Sequence, residues 1–313
     1  MQPTPRRAHG VTTAGATAVD HAMPRHHYVP QFMLSRWATN GKLVTYQWHA
    51  RAGKVLESAA SVRSVCQIED LNAFYGLPKD QKYFPEDWFT KNVDTPAARA
   101  LTAMISGRAD RLPKDHRAAW AKLLLSFAVR TPEALRMMGV QETRKAFDAA
   151  TGRAKGPPHL EAKVTAIIKA NMPKLERNFP LNAAMEIVSQ PVKQAVIEGM
   201  HWWCRRFDRH PIIVGDRPLL THPRQPRPCG VPLDAQDLLI ALPIAPNLAF
   251  FAASNTKTRA KIRNTPLEKL ARIINEETIW RATDYVFAHN RAMRDFLTGR
   301  LEGKAAGTWH PRP

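Results

Sequence analysis

Leu43-Val44-Thr45-Tyr46-Gln47-Trp48 and Lys54-Val55-Leu56-Glu57, separated by a stretch that ends in Arg51-Ala52-Gly53, decide the fold class. β-Branched and aromatic residues flank a turn closed by glycine, the pattern of a two-stranded hairpin. After it the apolar period lengthens from two residues to between three and four. Asp94-Thr95-Pro96 reads as a helix start with proline in its first turn, and residues 97–105 keep an apolar face at helical spacing. Pro113-Lys114-Asp115 opens a second helix, in which Trp120, Leu123, Leu124 and Phe127 form one stripe. Thr131 caps a third, with Pro132 at its first position and Glu133 near the positive end of its dipole. Residues 152–158 read as a loop, and 160–172 and 183–197 as further helices.

Beyond residue 202 strands return. Trp203-Cys204-Arg205-Arg206-Phe207 alternates, Ile212-Ile213-Val214 is a short buried run, and residues 238–242 and 248–253 form a second pair around Pro243 and Pro246. A helix over 266–283, a strand over 285–288 and a short helix near 293–301 complete the pattern. These elements make an α+β fold: the N-terminal β-hairpin and the C-terminal strands form a mixed or antiparallel sheet, with the helical middle segment packed against it. Residues 24–302 are expected as one domain with a helical lobe at about 94–200, between a disordered tail over 1–23 and a flexible tail over 303–313.

With 313 residues and 44% apolar content the chain can bury a full core. Its longest apolar stretches, 238–246 and 248–253, fall far short of the roughly 20 residues a membrane helix needs, so no membrane partner is expected. Arg6 and Arg7 precede no apolar run, which argues against a secretory signal. Cys66, Cys204 and Cys229 stand far apart with no C-x-x-C pair and read as thiols of a reducing cytoplasm. The 46 Lys and Arg against 27 Asp and Glu leave a net charge of +19, which points to polyanions, nucleic acid first. No Walker loop, G-x-G-x-x-G or G-x-S-x-G is present, which removes support for P-loop, dinucleotide and α/β-hydrolase chemistry.

The most distinctive block is His26-His27-Tyr28-Val29-Pro30-Gln31-Phe32, followed by Leu34 and Trp37. Asp70-Leu71-Asn72-Ala73-Phe74-Tyr75, Arg130-Thr131-Pro132, Val214-Gly215-Asp216-Arg217-Pro218, Pro243-Ile244-Ala245-Pro246 and Asn275 follow in that order. Over about residues 25–290 the set resembles the bacterial proteins grouped as domain of unknown function 4238. The resemblance marks Tyr28, Pro30, Gln31, Pro218 and Asn275 as motif positions and implies no established activity. At Gly215 this chain departs from the serine of the family, so any role of that hydroxyl is absent or replaced.

His-His-x-x-Pro also opens many HNH-type nucleases, in which the first position binds a divalent metal and the second activates water. On that pattern His26 and Asp216 hold a divalent cation (Mg, Mn or Zn), His27 is the general base and Arg130 clamps a phosphate. Neighbours on an extended strand point to opposite faces, so a turn must re-aim one imidazole before both serve one site. An HNH site also needs Asn and His on a following helix, which His49 and Asn72 do not supply. Alternatively, His26 and His27 are hydrogen-bonded anchors, Asp216 caps an Asx-turn, and Arg130 is its buried partner. Lys257, Arg259, Lys261 and Arg263 alternate without an acid, and in extended form they line one face that would track a phosphate backbone. Trp202 and Trp203 either stack on bases or belong to the core. Two function classes follow: a metal-assisted nucleic-acid phosphodiesterase of phage-defence or toxin-like type, and a non-catalytic nucleic-acid-binding or interaction protein with a structural His block. Convergence of His26, His27, Arg130 and Asp216 favours the first, separation the second.

Overall fold

The computed structural model describes residues 24–153, 158–224 and 230–311. The tail expected over 1–23 lies outside them, as do Cys229 and part of the loop expected over 152–158. In chain order the first elements are β1 (Arg25–His27), the short helix α1 (Gln31–Leu34), β2 (Lys42–His49), β3 (Lys54–Ser61) and β4 (Gln67–Glu69). Helices α2 (Lys79–Lys82), α3 (Phe84–Phe89), α4 (Thr95–Ile105), α5 (Lys114–Phe127), α6 (Pro132–Arg153), α7 (Pro158–Ser189) and α8 (Pro191–Gly199) form the middle. Strands β5 (His201–Arg206), β6 (Val214–Gly215), β7 (Leu220–His222), β8 (Leu239–Ala245) and β9 (Leu248–Ala253) follow. Helices α9 (Thr256–Asn264) and α10 (Leu267–Arg281), strand β10 (Val286–Ala288) and helix α11 (Arg294–Ala305) close the chain.

The fold is α+β and its sheets are antiparallel, but the one sheet expected is three: β1-β4, β3-β2-β10-β6 and β5-β9-β8-β7. The expected hairpin runs in register from Lys42↔Ser61 to His49↔Lys54, closed by Gly53 in the left-handed region. Strands β8 and β9 are apolar at almost every position because both faces are covered. Ile240, Leu242 and Phe250 enter the main core with Trp120 and Trp202, whereas Ala241, Ala249 and Phe251 enter a second cluster with Leu270 and Ile274 of α10. Pro243, which has no N–H for the ladder, sits at a register shift in β8. Trp37 is fully buried and its indole donates to the Ile212 carbonyl at 3.0 Å, fastening the N-terminal block to the C-terminal half.

Four elements differ from the sequence expectation. The helix does not start at Asp94: α3 runs through a π-helical turn (Thr90–Asp94) straight into α4. A widened turn fits Pro96, which has no N–H and would otherwise crowd the carbonyl four residues back. Residues 160–172 and 183–189 are not separate helices but belong to one 32-residue helix, α7, that contains Pro173 and Pro180; the break comes at Gln190, and residues 191–197 fall in α8. The ring of Pro180 leaves the carbonyl of Glu176 without its usual donor, and Gly139 of α6 packs there: a Cβ added at Gly139 would stand 2.5 Å from that oxygen. Residues 257–263 are helical rather than extended, since the Asn255 side chain accepts the Thr258 amide at 2.8 Å and caps α9. Lastly, the C-terminal segment expected as flexible continues α11 to Ala305, and Trp309 lies 5.4 Å from the Arg300 guanidinium.

Candidate functional site

Pairing of β1 with β4 sets the His block, with His26 opposite Ile68 and His27 opposite Gln67. Strand geometry therefore sends the two imidazoles to opposite faces. His26 is buried; its Nδ1 accepts the amide N–H of Asn72 at 2.9 Å, and its ring meets Tyr83 edge-on. Asn72 in turn donates to Glu86 at 2.7 Å, so His26 is tied into the 70–86 segment.

His27 faces the other way and is half-buried. Its Nδ1 lies 3.4 Å from Gln31 Nε2, and its Nε2, itself buried, has no hydrogen-bond partner among the described residues. Beside it lies Arg130, only 1% exposed, which donates from Nε to the Tyr28 carbonyl and from Nη1 to Asp94 Oδ1, both at 2.8 Å. Nη2 of Arg130 likewise has no partner among the described residues. The rings of Phe127 and Phe89, at 5.5 and 5.9 Å, wall in the guanidinium. Asp94 ends the π-helical turn and keeps 23% of its side chain exposed, while Gln31 is exposed. His27 and Asp94 are thus partly exposed beside the buried Arg130, and Gln31 is exposed.

The charges act on one another. Burial lowers the proton affinity of His27; the Arg63 backbone raises it, and Arg130 and Asp94 pull in opposite directions. Burial raises the Asp94 carboxyl above its ordinary range, outweighing the attraction of Arg130 and His27. A carboxyl shifted up beside an imidazole shifted down has its proton affinity brought closer to that of its neighbour.

Asp216 is more deeply buried and differently employed. Its Oδ1 accepts from Thr283 N at 2.9 Å, and its Oδ2 from Asp284 N at 2.6 Å and Tyr285 N at 3.2 Å, so it caps the turn between α10 and β10. Burial pushes its carboxyl up to about 6 against the pull of these three donors. The expected Arg130–Asp216 pair is corrected to Arg130–Asp94: amides occupy the Asp216 oxygens, and the π-helical turn brings Asp94 to the guanidinium. His26 and Asp216, expected as cation ligands, both accept backbone amides, and among the described residues no group of three or more His, Cys, Asp and Glu side chains could hold a metal ion.

The remaining motif positions fasten the scaffold. Tyr28 is buried beside Cys66, and burial raises both the phenol and the thiol. Pro30 starts α1, and Pro218 is buried after the Asp216 turn. Asn275 accepts from Ile213 N and donates to the Pro211 carbonyl, pinning the run before β6. At Gly215 an added Cβ would lie 3.3 Å from Thr278 Cγ2 and 3.5 Å from Ala282 Cβ, so helix α10 fills the place of the family serine. Trp202 and Trp203 are core residues, 4% and 6% exposed. Of the four basic residues on α9, Arg259 and Arg263 line a groove, whereas Lys257 and Lys261, one turn apart from each other, are exposed. Asp94 was missed because its sequence signal is that of a helix cap; an acid inside the unbroken apolar period from Phe89 through Val93 to Ala97 was the available clue.

The family model described as protein of unknown function (DUF4238) matches residues 25–292. No curated protein matches the chain, and no solved structure does.

Proposed function

We propose that this chain, which belongs to the DUF4238 family, is a phosphodiesterase acting on nucleic acid with His27 as its general base. One observation carries this: partly exposed His27 and Asp94, with proton affinities displaced in opposite directions, both interact with the buried Arg130 guanidinium, and neither His27 Nε2 nor Arg130 Nη2 has a hydrogen-bond partner among the described residues. In this reading neutral His27 takes a proton from the attacking water, Asp94 tunes that imidazole, and Arg130 supplies positive field beneath the phosphoryl oxygens. The net charge of +19 favours a polyanionic substrate. No residue is assigned to hold a divalent cation, because His26 and Asp216 spend their acceptors on backbone amides. That same engagement favours the alternative, a nucleic-acid-binding protein whose His block is structural.

Single- and double-stranded DNA and RNA should be incubated with the protein under Mg²⁺, Mn²⁺, Zn²⁺ or chelator. Cleavage that falls roughly 10²-fold in His27→Ala while the melting temperature holds supports a general base. Cleavage of none of these substrates under any condition would overturn the enzymatic reading and leave the binding one.

A further inference from the structure

A groove of about 280 Å³ opens where β5 and α9 meet the turn after α4, and its lining includes Trp203, Arg206, Arg259, Arg263 and Gly107. Its polar chemistry is nearly all donor. Trp203 is 94% buried by its 6% exposure, and its Nε1, which can only donate, has no hydrogen-bond partner among the described residues. The indole stacks on Phe251 at 5.3 Å and 14° between planes, so this N–H cannot swing elsewhere for a partner. Nε of Arg259 is likewise buried and without a partner among the described residues.

Helix geometry adds a second anomaly. Arg259 and Arg263 stand one turn apart on α9, a like-charge spacing that weakens a helix, and no carboxylate is among the described lining residues. Arg205 holds α9 there, donating to the carbonyls of Ile262 and Thr265 at 2.8 and 2.9 Å. Arg206, on the next position of β5, is steadied by the Ile105 carbonyl at 3.3 Å. An anion would supply the acceptor that these buried donors and the counter-charge that these cations lack among the described lining residues.

We infer that this groove is a phosphate-binding site, built by Trp203 and Arg259 in its depth and by Arg206 and Arg263 at its rim. A phosphate oxygen accepts from the indole N–H and from the Arg259 Nε–H, and its charge offsets the arginines. The site stands without the His27 chemistry and would serve equally in a protein that binds and does not cut. Inorganic phosphate, a nucleoside 5′-monophosphate and a short oligonucleotide share the chemistry it recognises.

The test follows the assigned Trp203 indole ¹H–¹⁵N signal of the full chain by NMR while each of these three is added. The expected result is a saturable downfield shift that Arg259→Gln and Arg263→Gln each weaken at least tenfold in affinity, while Lys257→Gln and Lys261→Gln change it less than twofold. Trp203→Phe keeps the stacked ring and loses the N–H; it should weaken binding about tenfold, read by calorimetry. Arg259→Gln should leave thermal stability unchanged or higher, as loss of a like charge would, and a marked fall in stability would show a structural role instead. A shift with the oligonucleotide at the lowest concentration identifies the polymer backbone as ligand; a shift with monophosphates alone identifies a small phosphate. Failure of all three to move the signal, or equal losses from the lysine variants, overturns the site, and neither outcome bears on cleavage at His27.

Discussion

His26 Nδ1 accepts the Asn72 amide N–H at 2.9 Å across 46 residues of chain. The bond joins β1 to the segment before α2, and among the described residues that buried amide has no other acceptor. His26→Ala should therefore cost roughly 1–3 kcal/mol, the penalty of a buried donor left unmade. His27→Ala, which loses a long contact to exposed Gln31 and the pull of the Arg63 backbone on a half-buried ring, should cost less. Urea unfolding of both variants checks this, and equal losses would make His27 an anchor as well.

The Asp216 carboxyl gives stability a particular dependence on pH. Its pKa in the folded protein, about 6, lies above its ordinary value of 3.8. The folded state thus binds the proton more tightly than the unfolded chain, so the contribution is full below the ordinary value and fades as pH rises through about 6. The difference in unfolding free energy between wild type and Asp216→Asn should accordingly narrow from pH 4 to pH 7. A difference that widened over that range would mean that the three amides, and not burial, control this carboxyl.

Around Arg130 the two partners should act on His27 in opposite senses. Removing the guanidinium with Arg130→Gln takes away a neighbouring positive charge and should raise the His27 pKa, whereas Asp94→Asn takes away a negative one and should lower it. Histidine ring titration by NMR reads both. Arg130→Gln should also destabilise by roughly 3 kcal/mol, the low end for breaking a buried pair, since Asp94 keeps some solvent.

Gly139→Ala tests the contact between α6 and the proline-bearing helix. Its Cβ would meet a backbone oxygen at 2.5 Å, which no side-chain rotation can relieve. The expected loss is about 1–3 kcal/mol despite the better helix propensity of alanine. A stabilised variant in thermal unfolding would show that the helices separate freely there.

What the sequence made legible was local. The Leu43–Glu57 hairpin declared itself because strand, turn glycine and strand are adjacent, and the Thr131 cap because its acceptor and the Ala134 amide are three residues apart. Partition of the strands among separate sheets was hidden, since β10 joins β2 only through pairs such as Phe287↔Thr45. Alternation of Lys257, Arg259, Lys261 and Arg263 suggested an extended run, yet Asn255 just before it held the cap that makes them helical. At the candidate site, His27 and Arg130 could be named from their motifs, but Asp94 could not, because its pairing depends on a π-helical turn that no residue pattern specifies.

The Tyr28 carbonyl finds its donor in Arg130, 102 residues later, and Trp37 finds its acceptor in Ile212, 175 residues later. Such bonds reward the chain only after long loops have closed, so the order of events in folding is constrained. The helical middle is therefore expected to assemble first, with β1 and α1 docking late onto it. In a chevron plot, substitutions in the His block should steepen loss through faster unfolding while leaving the refolding rate nearly unchanged, whereas substitutions at Trp120 or Leu124 should slow refolding. That outcome would make the block that marks the family the latch of this protein and not its nucleus.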